Sequence, residues 1–165
     1  MTVATDRLWP RVAASIVIGL VLAIVPLPWW LAALRPSWLA LIIVYWLLHE
    51  PRRVGLLTAF LGGLFLDTLH GALLGQHALA LVLIGFVTQR FNLRIRVFPM
   101  SQQIATVLML IALYEFMLYW VDGVSGQPAS DWRRWLPVLS SAAFWPVVTI
   151  VMQKLHRPLP QANRV

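Results

Sequence analysis

The stretch 35-RPSWLALIIVYWLLHEPRRVGLLTAFLGGLFLDTLHGALLGQHALAL-81 decides the fold. It holds two apolar segments, Trp38–Leu48 and Val54–Leu69, joined by the polar hinge His49-Glu50-Pro51-Arg52-Arg53, and a third begins after Gly75-Gln76-His77. The second segment places Gly55, Ala59, Gly63 and then Asp67 at a spacing of four. On a helix that spacing stacks them on one face, giving a stripe with almost no side-chain bulk that ends in a carboxylate. In lipid such a stripe lets another helix backbone approach, because packing rather than hydrophobicity drives helix association there. It is a helix-packing or partner face with a polar residue at one end.

Working outward, the whole chain reads the same way. It has 165 residues, 60% of them hydrophobic and 12% charged, and a mean hydropathy of +0.77. That composition lies outside the soluble globular range. A bilayer core about 30 Å thick asks for roughly 20 apolar residues per helical crossing, so this chain holds five or six crossings and little else. The formal charge of +7 does not point to nucleic acid, because the basic residues sit in short loops where orientation signals belong. With no cysteine there is no disulfide, thiolate metal site or cysteine nucleophile.

The pattern predicts an all-α, polytopic membrane protein, a single transmembrane domain over 1–165. Six short transmembrane helices are expected at about 12–30, 36–48, 54–69, 77–88, 104–121 and 136–152. The first run is a retained helix rather than a signal peptide, with Pro26 and Pro28 near its far end. The second and third runs are short for a bilayer, yet a re-entrant hairpin would carry Arg52 and Arg53 into hydrocarbon. Two crossings with local thinning cost less. Arg90–Pro99 and Asp122–Arg134 are expected as loops and Lys154–Val165 as a basic tail, and Pro146 would kink the last helix. Six crossings leave ten of the 13 basic residues on the side of both termini: Arg7, Arg11, Arg52, Arg53, Arg90, Arg94, Arg96, Lys154, Arg157 and Arg164. Arg35, Arg133 and Arg134 fall on the other side. The positive side is cytoplasmic, so both termini are expected in the cytoplasm.

Few residues carry chemistry. Arg35, Asp67, His70, His77 and Glu115 are the candidate intramembrane polar residues. Asp67, His70 and His77 match no dedicated metal motif, so no metal site, cofactor or catalytic residue is assigned. Asp67 is expected to pair with Arg35, both at the outer ends of their helices. Glu115 is read as an interhelical hydrogen bond, and alternatively as the polar lining of a ligand cavity. Six of nine tryptophans (Trp29, Trp30, Trp38, Trp120, Trp132 and Trp135) map to the outer edge, where they anchor helices. Trp132, Arg133, Arg134 and Trp135 form a candidate extracytoplasmic docking patch, since aromatics beside arginine suit binding anchors. The chain carries no phosphate-cradling glycine loop, HExxH or CxxC.

The run Arg35-Pro36-x-Trp38, Tyr45-Trp46, Arg53-Val54-Gly55, Ala59-Phe60, Gly63, Asp67 and Leu74-Gly75-Gln76-His77-Ala78-Leu79 resembles the MreD family. These are the small rod shape-determining proteins of the bacterial inner membrane. The resemblance covers about a quarter of the chain densely. It implies a non-enzymatic membrane scaffold of the cell-elongation machinery, controlling rod shape and lateral peptidoglycan synthesis. It implies MreC as main partner, with MreB, RodZ, RodA and a penicillin-binding transpeptidase in the same assembly. It also implies a fold similar to the substrate-binding subunits of energy-coupling-factor transporters. The alternative function is therefore a small-molecule, vitamin-like binding subunit of a membrane transporter, with Asp67, His70, His77 and Glu115 lining an outward-facing pocket.

Overall fold

The computed structural model describes residues 8–126 and 131–156. Among these residues every regular element is helical: α1 (Leu8–Ile24), α2 (Trp29–Ala32), α3 (Trp38–His49), α4 (Leu56–His70), α5 (Gln76–Val97), α6 (Met100–Val124) and α7 (Leu136–His156). A 3-10 turn, Trp132–Trp135, leads into α7. The stretch from Gln76 to Val97, α6 and the stretch Trp132–Leu155 are long and apolar enough to cross a membrane. The helices α1, α3 and α4 are apolar but shorter.

The core is built around α3. All ten residues from Leu39 to Leu48 are buried, and α1, α5 and α7 pack around this helix. A helix apolar on every side has no face for water, and full enclosure is the arrangement that suits it. At about 1.5 Å per residue its 12 residues rise only about 18 Å. Enclosure removes the need to match the bilayer, since backbone shielded by protein is tolerated at membrane depth.

Around this axis the contacts are made by small residues. Ser15, Gly19 and Ala23 are buried on one side of α1. A Cβ on Gly19 would stand 2.8 Å from Ile42 Cδ1 and 3.4 Å from Leu39 Cα. Trp46 Nε1 donates to Ser15 Oγ at 2.8 Å, and Ser15 in turn donates to the Val12 carbonyl at 2.7 Å. The indole N–H of a buried tryptophan thus finds the partner it needs.

The expected helices are present with shifted ends. The first starts at Leu8 and stops at Ile24, before Pro26 and Pro28, and Trp29 and Trp30 belong to the separate α2. The fourth does not end near residue 88. It runs to Val97 and carries Arg90, Arg94 and Arg96 on helix rather than in a loop. The polar Gln-Arg-Phe-Asn-Leu-Arg run lowers hydropathy without breaking the helix, because Arg, Gln and Leu are all good helix formers. Similarly, α6 starts at Met100 and continues to Val124. Pro99 stops one helix and caps the next. Residues 127–130 of the expected long loop, Arg7 at the start and 157–165 of the basic tail lie outside the described residues.

Candidate functional site

Polar side chains gather at one end of the bundle, where α3, α5 and α7 begin and α4 and α6 finish. The turn between α4 and α5 is set by two glycines. Gly71 takes the left-handed conformation (φ +61°) that closes α4, and Gly75 (φ +99°) opens α5. Asp67 sits one turn before this bend and is wholly buried. Its Oδ2 accepts the Gly75 amide at 2.8 Å. Its Oδ1 accepts both the His77 amide and His77 Nδ1, each at 2.8 Å. One carboxylate therefore satisfies two amide donors at the start of α5, where helix N–H groups have no partner in the helix. His77 stacks on His70 at 5.6 Å between ring centroids and lies 6.2 Å from Tyr114.

Below Asp67 the stripe is used inside the molecule. A Cβ on Gly63 would lie 2.3 Å from Ala78 Cα and 2.5 Å from Ala78 N. At Ala59 the Cβ meets the space over Gly85, 3.8 Å from where a Cβ would sit there. Gly55, the cap residue of α4, has nothing within 4 Å of an added Cβ. Of the four stripe residues, Ala59, Gly63 and Asp67 join α4 to α5, and Gly55 stands clear.

Arg35 does not pair with Asp67. Its two amino groups donate to the carbonyls of Ala23 and Val25, the latter at 2.6 Å. It thereby caps the end of α1, where carbonyls lack helical partners and a cation is favoured. The expectation fails because both groups found main-chain partners nearer in sequence. Asp67 needs amide donors and the α4–α5 turn supplies them, while Arg35 needs acceptors and the broken end of α1 supplies those.

Two further bridges tie this end together. Ser37 donates its hydroxyl to Glu115 Oε1 at 3.2 Å and its amide to Ser141 Oγ at 2.9 Å, joining the start of α3 to α6 and α7. Gln76 Nε2 donates to Asp122 Oδ1, and Arg134 to Asp122 Oδ2, both at 2.6 Å. The Arg134 guanidinium also stands 5.7 Å from the Tyr119 ring centre. In the candidate docking patch Arg134 thus faces inward. Trp132, 70% exposed, Arg133 and Trp135 face outward.

Between these bridges lies a cavity of about 250 Å³. Arg35, Ser37, His70, His77 and Glu115 all contribute to its wall, with Trp38 and Tyr114. Asp67 stands behind His77 and does not reach it. Sequence reading missed Ser37, Ser141, Gln76 and Asp122. Short polar residues beside a helix start or end carry no pattern of their own, although a serine before an apolar run signals a cap.

Residues 8–155 match the family model described as rod shape-determining protein MreD. The chain belongs to the MreD family. It is similar to the rod shape-determining protein MreD of Haemophilus influenzae (strain ATCC 51907 / DSM 11121 / KW20 / Rd). The two are 29% identical over 149 residues, covering 90% of this chain and 92% of that protein. No solved structure matches it. The MreD match takes in α1 through almost all of α7, including every residue of the polar end.

Proposed function

We propose that this chain is a non-enzymatic scaffold of the bacterial cell-elongation machinery, acting on rod shape and lateral peptidoglycan synthesis by association with MreC. The observation that carries the reading is the MreD family match over residues 8–155. In the same reading the protein is a multi-pass component of the inner membrane with six crossings and both termini cytoplasmic. Ten of 13 basic residues would then lie on the cytoplasmic side. A bond from Gln89 to the Pro51 carbonyl at 3.3 Å supports that arrangement, since it holds the Arg52–Arg53 hinge beside the arginine-bearing half of α5. The polar end with Arg35, Asp67 and Glu115 would face outward. MreB, RodZ, RodA and a penicillin-binding transpeptidase complete the proposed assembly.

The small-residue stripe cannot be the MreC face in this scheme, because α5 covers it. MreC would contact the lipid-facing sides of the bundle instead. The test is depletion in a rod-shaped bacterium that carries the gene, with co-purification of MreC scored beside cell shape. Rounding cured by the wild-type chain, together with MreC recovery, supports the scaffold. Cells that stay rod-shaped while losing uptake of one nutrient refute it.

A further inference from the structure

At the polar end nearly every charge has a partner. Arg35 is held on the α1 carbonyls, Asp67 on two amides and His77, and Asp122 on Arg134 and Gln76. Glu115 is the exception. It is 8% exposed, and among the described residues its carboxylate takes one hydrogen bond, from the neutral Ser37 hydroxyl. No ion pair joins it to Arg35, although both line the same cavity. A carboxylate so far from water needs a cation or several donors to stay charged.

The cavity supplies the room for one. At about 250 Å³ it lies just below the range of roughly 300–1,000 Å³ for drug-sized ligands. Its wall also carries the aromatic side chains Trp38 and Tyr114, and aromatic faces attract cations. We propose that the cavity between α3 and α6 binds a primary ammonium group on Glu115, with Ser37 holding the carboxylate and Trp38 and Tyr114 flanking the charge. A small free amine and the ethanolamine headgroup of a phospholipid both present that chemistry. The site is independent of the scaffold reading, which stands or falls on MreC and cell shape.

The test uses the full-length chain in phosphatidylglycerol nanodiscs, with millimolar ethanolamine as probe and glycolate as the anionic control. A ligand that prefers the folded state raises its stability, here by about 2–4 °C for each kcal/mol of binding linkage in a chain of this size. Ethanolamine raises Tm in the wild type, has no effect on Glu115→Gln, and glycolate does nothing: that result supports a free-amine site. If instead only exchanging phosphatidylglycerol for phosphatidylethanolamine raises Tm, and only in the wild type, the headgroup is the source. No shift in either arm, or equal shifts in wild type and Glu115→Gln, overturns the proposal. Should the variant fail to fold, the wild type alone decides. Saturable retention of radiolabelled ethanolamine supports the site, as does preferential retention of phosphatidylethanolamine over phosphatidylglycerol in native mass spectra. The absence of both overturns it.

Discussion

Replacing Gly63 by alanine tests the central packing claim most directly. The new methyl would stand 2.3 Å from Ala78 Cα, 2.5 Å from Ala78 N and 2.9 Å from His77 C. All three are backbone atoms, so no side chain can swing aside. Restoring an ordinary contact of 3.4 Å or more asks for about 1 Å of separation between α4 and α5. Overpacking of this kind costs about 1–3 kcal/mol. The same movement pulls Gly75 and His77 away from Asp67, whose bonds to them are 2.8 Å long. Hydrogen bonds to a charged group contribute about 1.5–3 kcal/mol each, so the combined loss reaches about 3 kcal/mol or more. In a chain of this size each kcal/mol moves Tm by about 2–4 °C, and Gly63→Ala should melt about 6 °C or more below wild type. Gly55→Ala is the matched control. Gly55 belongs to the same stripe in sequence, but an added Cβ meets nothing there and its φ of −91° suits alanine. That variant should stay within about 2 °C, the range of an ordinary surface change. Both would be read as fluorescence melts of detergent-solubilised protein. Equal Tm values for the two variants would refute the close approach of α4 to Ala78.

Asp67→Asn and His77→Ala should be coupled in a double-mutant cycle, the pair costing less than the sum by about 0.5–3 kcal/mol, because they share a 2.8 Å bond. Asp67→Asn and Arg35→Leu should instead add within about 0.5 kcal/mol, since their partners are separate; a strong interaction energy would restore the direct ion pair. Arg35→Leu alone should destabilise by about 2 kcal/mol or more by uncapping α1, and faster amide exchange confined to Val21–Val25 would locate the loss. Trp46→Phe should cost about 1–3 kcal/mol by leaving the buried Ser15 oxygen without its indole donor, while its own bond to the Val12 carbonyl persists, and the added change Ser15→Ala should recover part of it, in the same melting assay.

The helices were legible because long apolar runs broken by proline, glycine and arginine leave few other readings. Their ends were less so. A window of hydropathy falls at Arg90, Arg94 and Arg96, yet the backbone there continues to Val97, since polar helix formers change the solvent and not the fold. The enclosure of α3 was invisible for a related reason. A helix apolar on all sides looks the same whether lipid or protein surrounds it, and only the neighbours decide. The stripe through Ala59, Gly63 and Asp67 was plain from its spacing of four, but its occupant was not. The matching run Ser15, Gly19, Ala23 on α1 has the same spacing and went unread, because its first member is polar. Among the polar residues, Glu115 was found as an interhelical link, while its donor Ser37 was hidden beside Pro36 and Trp38. The pairing of Arg35 with Asp67 failed because charge complementarity in sequence ignores main-chain groups, which at helix ends are the nearer partners.

That last point separates what makes this chain resemble the MreD family from what lets it act. Arg35 holds carbonyls of α1, Gly63 admits the backbone at Ala78, and Gly75 forms the turn that delivers its amide to Asp67. His77 gives both its amide and its ring to the same carboxylate. Each of these motif residues acts within its own molecule, so the motif specifies an architecture: α4 pressed on α5, and α1 ended where α3 begins. Gly63 and Gly75 have no side chain with which to recognise a partner, and Arg35 and His77 turn into the cavity wall. On the scaffold reading, recognition therefore falls to surfaces outside the motif, such as the outward faces carrying Leu57, Phe65 and Met109. Variants there should leave the melting temperature near wild type while altering recovery of MreC. Variants at Arg35, Gly63, Gly75 or His77 should lose both together.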